Sequence, residues 1–339
     1  MISSLVIWAH SECRSTAALF EAVRQRAEER GIRVAIRLWN GVKLPDSRCR
    51  RLAGAVEVGD DLAKGLDTLR EFGGPGSVQV FCVYQNSRVW RELIRAAKRS
   101  GARVVVYAEA PCEMCLGFKA ALKRAYYRCV LPARLRSTIR AADLLISQSG
   151  RNGLDRLLRL GWRKDQIVPF GYAAARLEAD AGEEPSRAAG DFYLHLGSEA
   201  RYRGVEVAER AARQAGVRLV RSGGALGAGE LVRAIRNAKA VVACGYCEPW
   251  GMRVNEALLE GTPVIVSEGM GARMLVEDYG CGCVVPRGDA VALAAVLRRC
   301  ERESDFLARI RSGAARAAQD LRPERQAVRF LALVMGEAR

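Results

Sequence analysis

Apolar positions along the chain alternate between two periods. Short, nearly continuous runs of Val, Ile, Leu and aromatic residues fall at Ser4–Trp8, Arg33–Trp39, Val78–Tyr84 and Arg103–Ala108. Runs of this length and composition predict strands buried on both faces. Between them the apolar residues take helical spacing, from about Ala17 to Arg30 with Gly31 as the stop, over Asp60–Phe72 and over Ser87–Ser100. Leu52–Val58 reads as a weaker strand, and Gly73-Gly74-Pro75-Gly76 as a loop. A further strand begins at Asp143 and ends in small polar residues by Gly150. It is followed by a helix over Arg151–Leu160 and an extended run over Ile167–Tyr172. Periodicity is then lost over Arg176–Gly190, where mixed charge, Gly and Pro mark a linker.

The rhythm restarts with a strand at Asp191–Gly197, a helix from Val205 and a strand over Val217–Arg221. A helix over Glu230–Asn237 and strands near Ala240–Ala243, Val264–Val266 and Cys283–Pro286 continue it. Helices are predicted over Arg273–Tyr279, Ala290–Arg302 and Asp305–Leu321, and Pro323 restarts one that runs to the end. This strand–helix–strand cadence with short links predicts an α/β protein with two doubly wound parallel sheets. The expected domains are 1–175 and 191–322, joined by a linker at 176–190, with a closing segment at 323–339.

The most informative stretch runs from Val241 to Val266, VVACGYCEPWGMRVNEALLEGTPVIV. Its strand breaks at Cys244-Gly245, and a loop through Glu248-Pro249-Trp250-Gly251 leads into a helix with Val254, Ala257 and Leu258 on one face. Such a loop lies at the carboxyl end of a parallel strand, where open α/β sheets bind ligands. The first N–H groups of the helix, near Gly251 and Met252, form a ready anion site. Glu248 in the loop and Glu256 in the second helical turn bracket it. Acidic residues near a helix start also have a purely structural explanation in the helix macrodipole.

The string Glu248 to Val266 as a whole resembles the donor-site signature of retaining GT-B glycosyltransferases of the family-4 type, the glycosyl transferases group 1. The resemblance implies two Rossmann-like doubly wound domains facing each other across a cleft, with the last segment crossing back to the first domain. It implies transfer of a sugar from a nucleotide-sugar donor to an acceptor with retention of configuration and without a metal ion. No Asp-x-Asp pattern occurs in the chain, in keeping with that expectation. By the resemblance Glu248 contacts the transferred sugar and Glu256 holds the donor ribose. Gly251, Met252 and Arg253 bind the donor at the helix start, and Gly223 and Gly224 lie in the nucleotide-base loop.

Two cations normally clamp the diphosphate in such proteins, one in a Gly-Arg pair and one in a Lys-Gly pair. Here Gly197-Ser198 and Arg203-Gly204 stand in those places. Arg203 takes the second role, stabilising the leaving diphosphate, while the first cation is absent or supplied by Arg201. In the first domain the loop after the opening strand would direct His10 and Ser15 to the cleft, although the usual Gly-Gly is missing. Ser15 or Thr16 as a helix N-cap is an equally open reading. Glu109 occupies the place of a cleft histidine and would contact the transferred sugar or an acceptor hydroxyl. His195, on a strand, reads as a packed residue and not as a catalyst.

Charge sharpens the picture. Residues 1–180 carry 31 Lys+Arg against 18 Asp+Glu, a net +13, whereas residues 181–339 carry 23 against 20, a net +3. From Lys119 to Arg140 seven positions are basic and none is acidic, and Tyr126, Tyr127, Val130, Leu131, Leu135 and Ile139 add apolar surface. Such a segment suits an anionic membrane face or nucleic acid. It also suits a helix whose apolar residues pack on a sheet while the arginines meet water. No apolar run approaches the ~20 residues that span a bilayer, and no signal peptide is read at the start. A cytoplasmic protein is expected, with peripheral attachment to the inner face of the plasma membrane as an extension of the charge argument.

Arg outnumbers Lys 47 to 7, which a GC-rich genome produces without any function. The 11 cysteines include Cys112-x-x-Cys115 and Cys244-x-x-Cys247. Paired Cys-x-x-Cys motifs hold zinc when close in sequence, but these lie far apart, and buried or loop thiols are the expectation. No metal and no cofactor are expected beyond the donor itself, and no nucleic-acid partner. The expected acceptor is a glycan or glycolipid, in particular a lipid-linked or envelope precursor at a membrane face. Two other classes stay open: a non-catalytic GT-B donor-binding protein, suggested by Ser198, and a basic nucleic-acid binder, suggested by charge alone.

Overall fold

The computed structural model describes residues 2–10, 14–39, 52–82, 84–85, 87–176, 190–196, 200–222 and 227–338, with the side chains of 14, 15 and 228 also left aside. The chain forms two compact units. One comprises Met1–Pro111, Lys123–Ala173 and Pro323–Arg339; the other comprises Cys112–Leu122 and Ala174–Arg322.

The first unit is built on seven parallel strands: β1 (Ser4–Ala9), β2 (Arg33–Leu38), β3 (Val56–Glu57), β4 (Ser77–Phe81), β5 (Arg103–Ala108), β6 (Leu144–Ser147) and β7 (Ile167–Pro169). Their order is β3-β2-β1-β4-β5-β6-β7, every neighbouring pair parallel. Helices α1 (Arg14–Glu28), α2 (Leu62–Phe72), α3 (Arg88–Arg99), α4 (Phe118–Cys129), α5 (Leu131–Ala141) and α6 (Leu154–Leu160) alternate with them in sequence, α4 counting with this unit only from Lys123 on.

The second unit has five parallel strands, β8 (Tyr193–His195), β9 (Leu219–Arg221), β10 (Val241–Ala243), β11 (Val264–Ser267) and β12 (Gly282–Val285), in the order β12-β11-β10-β8-β9. Helices α7 (Val205–Ala215), α8 (Ala228–Asn237), α9 (Met252–Leu259), α10 (Arg273–Tyr279), α11 (Ala290–Arg302) and α12 (Ser304–Asp320) link them, and α13 (Pro323–Met335) ends the described chain.

Strand burial explains the apolar runs. All six residues of β1 are buried, and successive side chains go to opposite faces. Leu5 and Ile7 enter one core cluster, Val6 and Trp8 the other. Strand β5 divides likewise, Val105 and Tyr107 against Val104 and Val106. Helices on both faces leave no side for polar alternation. Within β4 the fully buried Gln79 accepts the Trp8 indole N–H at 2.9 Å. Helix α13 closes one face by packing on α1, and Phe330 sits between Tyr107 and Phe170 at centroid distances of 5.0 and 5.6 Å.

Three local expectations need revision. The strand expected over Leu52–Val58 shrinks to the exposed pair Val56–Glu57, because a turn at Gly54 (φ +70°) interrupts the extended run. Asp60 and Asp61 precede α2, and the Asp61 carboxylate caps it by accepting from the Lys64 N–H at 3.1 Å. The basic run from Lys119 to Arg140 is two helices that part at Val130, just before Pro132. In α5 the residues Leu131, Leu135 and Ile139 are buried, with Tyr126 and Tyr127 half-buried against the same cluster. The tyrosines are therefore core-side residues and not a surface anchor. The expected linker falls largely on residues 177–189, outside the described residues.

Truncating Phe330 to Ala removes an aromatic ring from a site with no solvent exposure. The expected cost is about 3–5 kcal/mol. It should appear as a lowered denaturation midpoint with little change in m-value.

Candidate functional site

The second sheet has its switch point between β8 and β10. From β8 the chain moves to β9 on one side, then crosses to β10 on the other. The crevice outside the carboxyl ends of two such strands is open to ligands. Here the two following loops are drawn together. Gly204 takes a left-handed conformation (φ +73°) so close to the Cys244 carbonyl that a Cβ would lie 2.2 Å from its oxygen. The Tyr246 N–H donates to the Tyr202 carbonyl at 2.7 Å, and the Cys244 thiol to the Gly204 carbonyl at 3.5 Å.

That approach brings Arg203 and Glu248 together. Arg203 Nη1 lies 3.5 Å from Glu248 Oε1, and the guanidinium stands 5.5 Å from the Tyr202 ring centre. Arg203 Nε is buried without a hydrogen-bond partner among the described residues. Orphaned buried donors are uncommon and often mark a functional site. The Glu248 backbone is fixed on both sides, donating to the Gly269 carbonyl at 3.0 Å and accepting from the Gly271 N–H at 3.2 Å. Burial pushes the Glu248 carboxyl above the ordinary carboxylate range, opposed by the charges of Arg203 and Arg253.

Beyond Glu248 the loop is bolted to α9. Trp250 is buried, and its indole N–H donates to Asn255 Oδ1 at 2.6 Å, with Asn255 fully buried. Gly251 is left-handed (φ +106°) and turns the chain into the helix. A Cβ there would meet Met270 Cε at 2.4 Å. The first-turn N–H groups of α9, including those of Met252 and Arg253, have no acceptor from within the helix. Val254, Ala257 and Leu258 are fully buried on the face predicted from their spacing. Glu256 accepts from Arg253 Nη1 at 2.6 Å.

Arg203, Glu248, Gly251, Met252, Arg253 and Glu256 thus gather around one switch point. Arg201 lies farther out, 80% exposed and 3.6 Å from Glu206. Gly197, Ser198, Gly223 and Gly224 lie outside the described residues, as does the side chain of Ser15, which sits in α1. His195 in β8 is buried at 2% exposure, and burial lowers its pKa.

Two candidates belong to the first unit. His10 follows β1, the strand at which that sheet reverses direction. Its ring stands edge-on to Trp39 at 4.9 Å, and burial lowers its pKa. Glu109 follows β5 and accepts from the Tyr172 hydroxyl at 3.0 Å.

Sequence reasoning missed Asn255, Gly269 and Tyr172. Asn255 left a signal, a polar residue beside Val254 in a helix with a strong apolar face. Gly269 left none: a Cβ there would lie 2.4 Å from the Gly245 carbonyl oxygen, a proximity between loops distant in sequence.

Sheets and site together define a protein of the GT-B class, built from two Rossmann-like domains. HepE from Anabaena, in complex with UDP and glucose, superimposes with a TM-score of 0.67 at 14% identity, over 99% of this chain and 100% of that one. Sucrose-phosphate synthase from Thermosynechococcus elongatus gives 0.59 at 16%, covering 99% of each chain. WaaG, a glycosyltransferase involved in lipopolysaccharide biosynthesis, gives 0.53 at 13%, over 99% of this chain and 100% of that one. At these identities the likeness is one of fold. Residues 205–317 match the family model described as Glycosyl transferases group 1. No curated protein sequence matches it.

Glu248→Gln removes an ionisation that burial disfavours. A carboxyl raised on folding binds its proton more tightly in the native state, so wild-type stability falls as pH climbs through the window between its unfolded and folded pKa values. The variant should therefore unfold at a higher temperature than wild type at neutral pH. The difference should vanish below pH ~4, where both states of the wild type are protonated. Thermal scans across pH test this.

Proposed function

We propose that this protein transfers a sugar from a nucleotide-sugar donor to a lipid-linked or envelope glycan acceptor, with retention of configuration and without a metal ion at the diphosphate. The observation that carries the reading is the Arg203–Glu248 pair at the β8/β10 switch point, beside the start of α9. A half-buried guanidinium with an orphaned Nε, next to a helix N-terminus, suits a leaving diphosphate whose charge grows as the glycosidic bond breaks. Glu248 is the candidate for contact with the transferred sugar, and Glu256 for the ribose. Arg253 then exchanges its ion pair with Glu256 for the donor. His10 and Glu109 remain candidates on the acceptor side. A nucleotide-sugar donor is supported by the UDP and UDP-glucose complexes of HepE. Donor binding without turnover is the alternative outcome, favoured by the surface position of Arg201.

The membrane part of the reading is supported by α4. Phe118, Ala121, Leu122, Ala125 and Cys129 recur at helical spacing on one face, and every one is exposed, Phe118 at 82% and Leu122 at 63%. Exposed Lys119 and Lys123 flank this stripe on one side, Arg124 and Arg128 on the other. Met114 and Leu116, just upstream, are exposed as well. A globular helix ordinarily turns such a stripe inward. One that turns it outward between rows of cations matches a helix lying in the plane of an anionic bilayer. Each cation near such a surface contributes ~1 kcal/mol, screened by salt.

Glu256→Ala should weaken donor binding by about 1.5–3 kcal/mol, the value of a hydrogen bond to a charged group. Arg203→Ala should instead depress turnover more than binding, because its partner charge develops in the transition state. Calorimetry and steady-state rates with UDP-, GDP- and ADP-sugars, without added divalent ions, separate the two. Unchanged affinity in the first or unchanged turnover in the second removes that residue from the site.

Wild type should sediment with anionic vesicles at low salt and leave neutral ones. Replacing Lys123, Arg124 and Arg128 by Glu, or Phe118 and Leu122 by Asp, should abolish this while donor binding persists. Duplex DNA and RNA serve as competitors. Indifference of the wild type to anionic vesicles would rule out membrane docking in favour of a soluble acceptor.

A further inference from the structure

The two Cys-x-x-Cys motifs, 132 positions apart from Cys112 to Cys244, converge in the folded chain. Cys112, Glu113 and Cys247 all belong to the second unit, and their ligand atoms lie within 4.8 Å of one another. Both thiols are buried and the carboxylate is half-buried. Cys247 Sγ stands 3.4 Å from Glu113 Oε2. With Zn–S bonds of ~2.3 Å and Zn–O bonds of ~2.0–2.2 Å, a tetrahedral site has an S···O edge of about 3.5 Å. The Cys247–Glu113 edge, where the thiol donates to the carboxylate, is close to that length.

We propose that Cys112, Glu113 and Cys247 bind a zinc-class divalent cation through two thiolates and one carboxylate, with solvent in the fourth position. Two sulfur ligands select such an ion over the magnesium or manganese that would accompany a diphosphate. The site is therefore not a diphosphate-metal site, and the proposal does not rest on the transfer reading. Binding breaks two S–H bonds and releases both protons to solvent, so uptake strengthens as pH rises.

Local structure favours this ligand set over the four cysteines that the sequence motifs suggest. Cys244 turns its thiol to the Gly204 carbonyl, away from the cluster. Met114, the one non-glycine residue with positive φ among the described residues (φ +47°), turns the chain directly after Glu113. Left-handed backbone at such a residue is a strain that ligand clamps commonly hold. The cation would tie this turn to the residue immediately before Glu248, making the Glu248 loop more rigid.

The test uses the full chain, reduced and stripped with a chelator, then titrated with cobalt(II). One equivalent should bind with an intense thiolate-to-cobalt charge-transfer band and the visible bands of tetrahedral cobalt, and zinc should displace it with proton release. Cys112→Ser and Cys247→Ser should each lose about half of the charge-transfer intensity, one of two thiolate ligands. Glu113→Gln should weaken affinity by about tenfold or more, while Cys115→Ser should leave stoichiometry and spectrum unchanged. Circular dichroism checks each variant, and Cys112→Ser carries the test if Cys247→Ser fails to fold. The proposal is overturned if the reduced wild type shows no charge-transfer band, or if the band is undiminished in either Cys112→Ser or Cys247→Ser. A Cys112–Cys247 disulfide on oxidation, with no cobalt uptake by the reduced chain, would likewise overturn it.

Discussion

Everything in the candidate site depends on how closely the loops after β8 and β10 approach each other. Gly204 makes that approach possible, since no side chain fits between its Cα and the Cys244 carbonyl. The Tyr246–Tyr202 backbone hydrogen bond then sets the register of one loop against the other. Arg203 and Glu248 meet because the residue before Gly204 and the loop beyond Tyr246 have no other course. A parallel sheet with reversed strand order supplies the crevice, and two backbone contacts set its width.

Within that crevice electrostatics and stability pull in opposite directions. Glu248 is buried enough that desolvation outweighs two nearby guanidinium groups, and Arg203 Nε has no hydrogen-bond partner among the described residues. An apolar pair would cost the fold less. Groups held in this state cost the fold stability, and preorganised charge of this kind is what stabilises a developing anion at a functional site. The scaffold around them carries no such conflict: Trp250, Asn255 and Gly269 hold the loop with buried, satisfied contacts.

The basic excess of the first 180 residues becomes specific once the helices are seen. In α5 the apolar residues turn to the core, whereas α4 keeps its apolar stripe in solvent between Lys and Arg rows. Net charge alone does not distinguish a solvated face from a docking face; the direction of the apolar stripe does. The same holds for the thiols. Spacing in sequence left two distant Cys-x-x-Cys pairs read as buried or loop thiols, and the fold brings one cysteine of each pair beside Glu113.

Strand and helix order, the doubly wound class and the helix after Gly251 were legible in the chain, because burial on both faces of a parallel sheet forces continuous apolar runs and helices force a 3.6-residue period. The identities of Glu248, Gly251 and Glu256 as candidates also came from sequence, through a long motif confined to one βαβ unit. Tertiary structure alone decided what lies between segments far apart in the chain. It set Arg203 against Glu248, Gly269 against Gly245, and Cys112 and Glu113 against Cys247. It also decided which face of α4 meets water. Periodicity reports which residues share a face of one element; it carries no record of which other element, if any, covers that face.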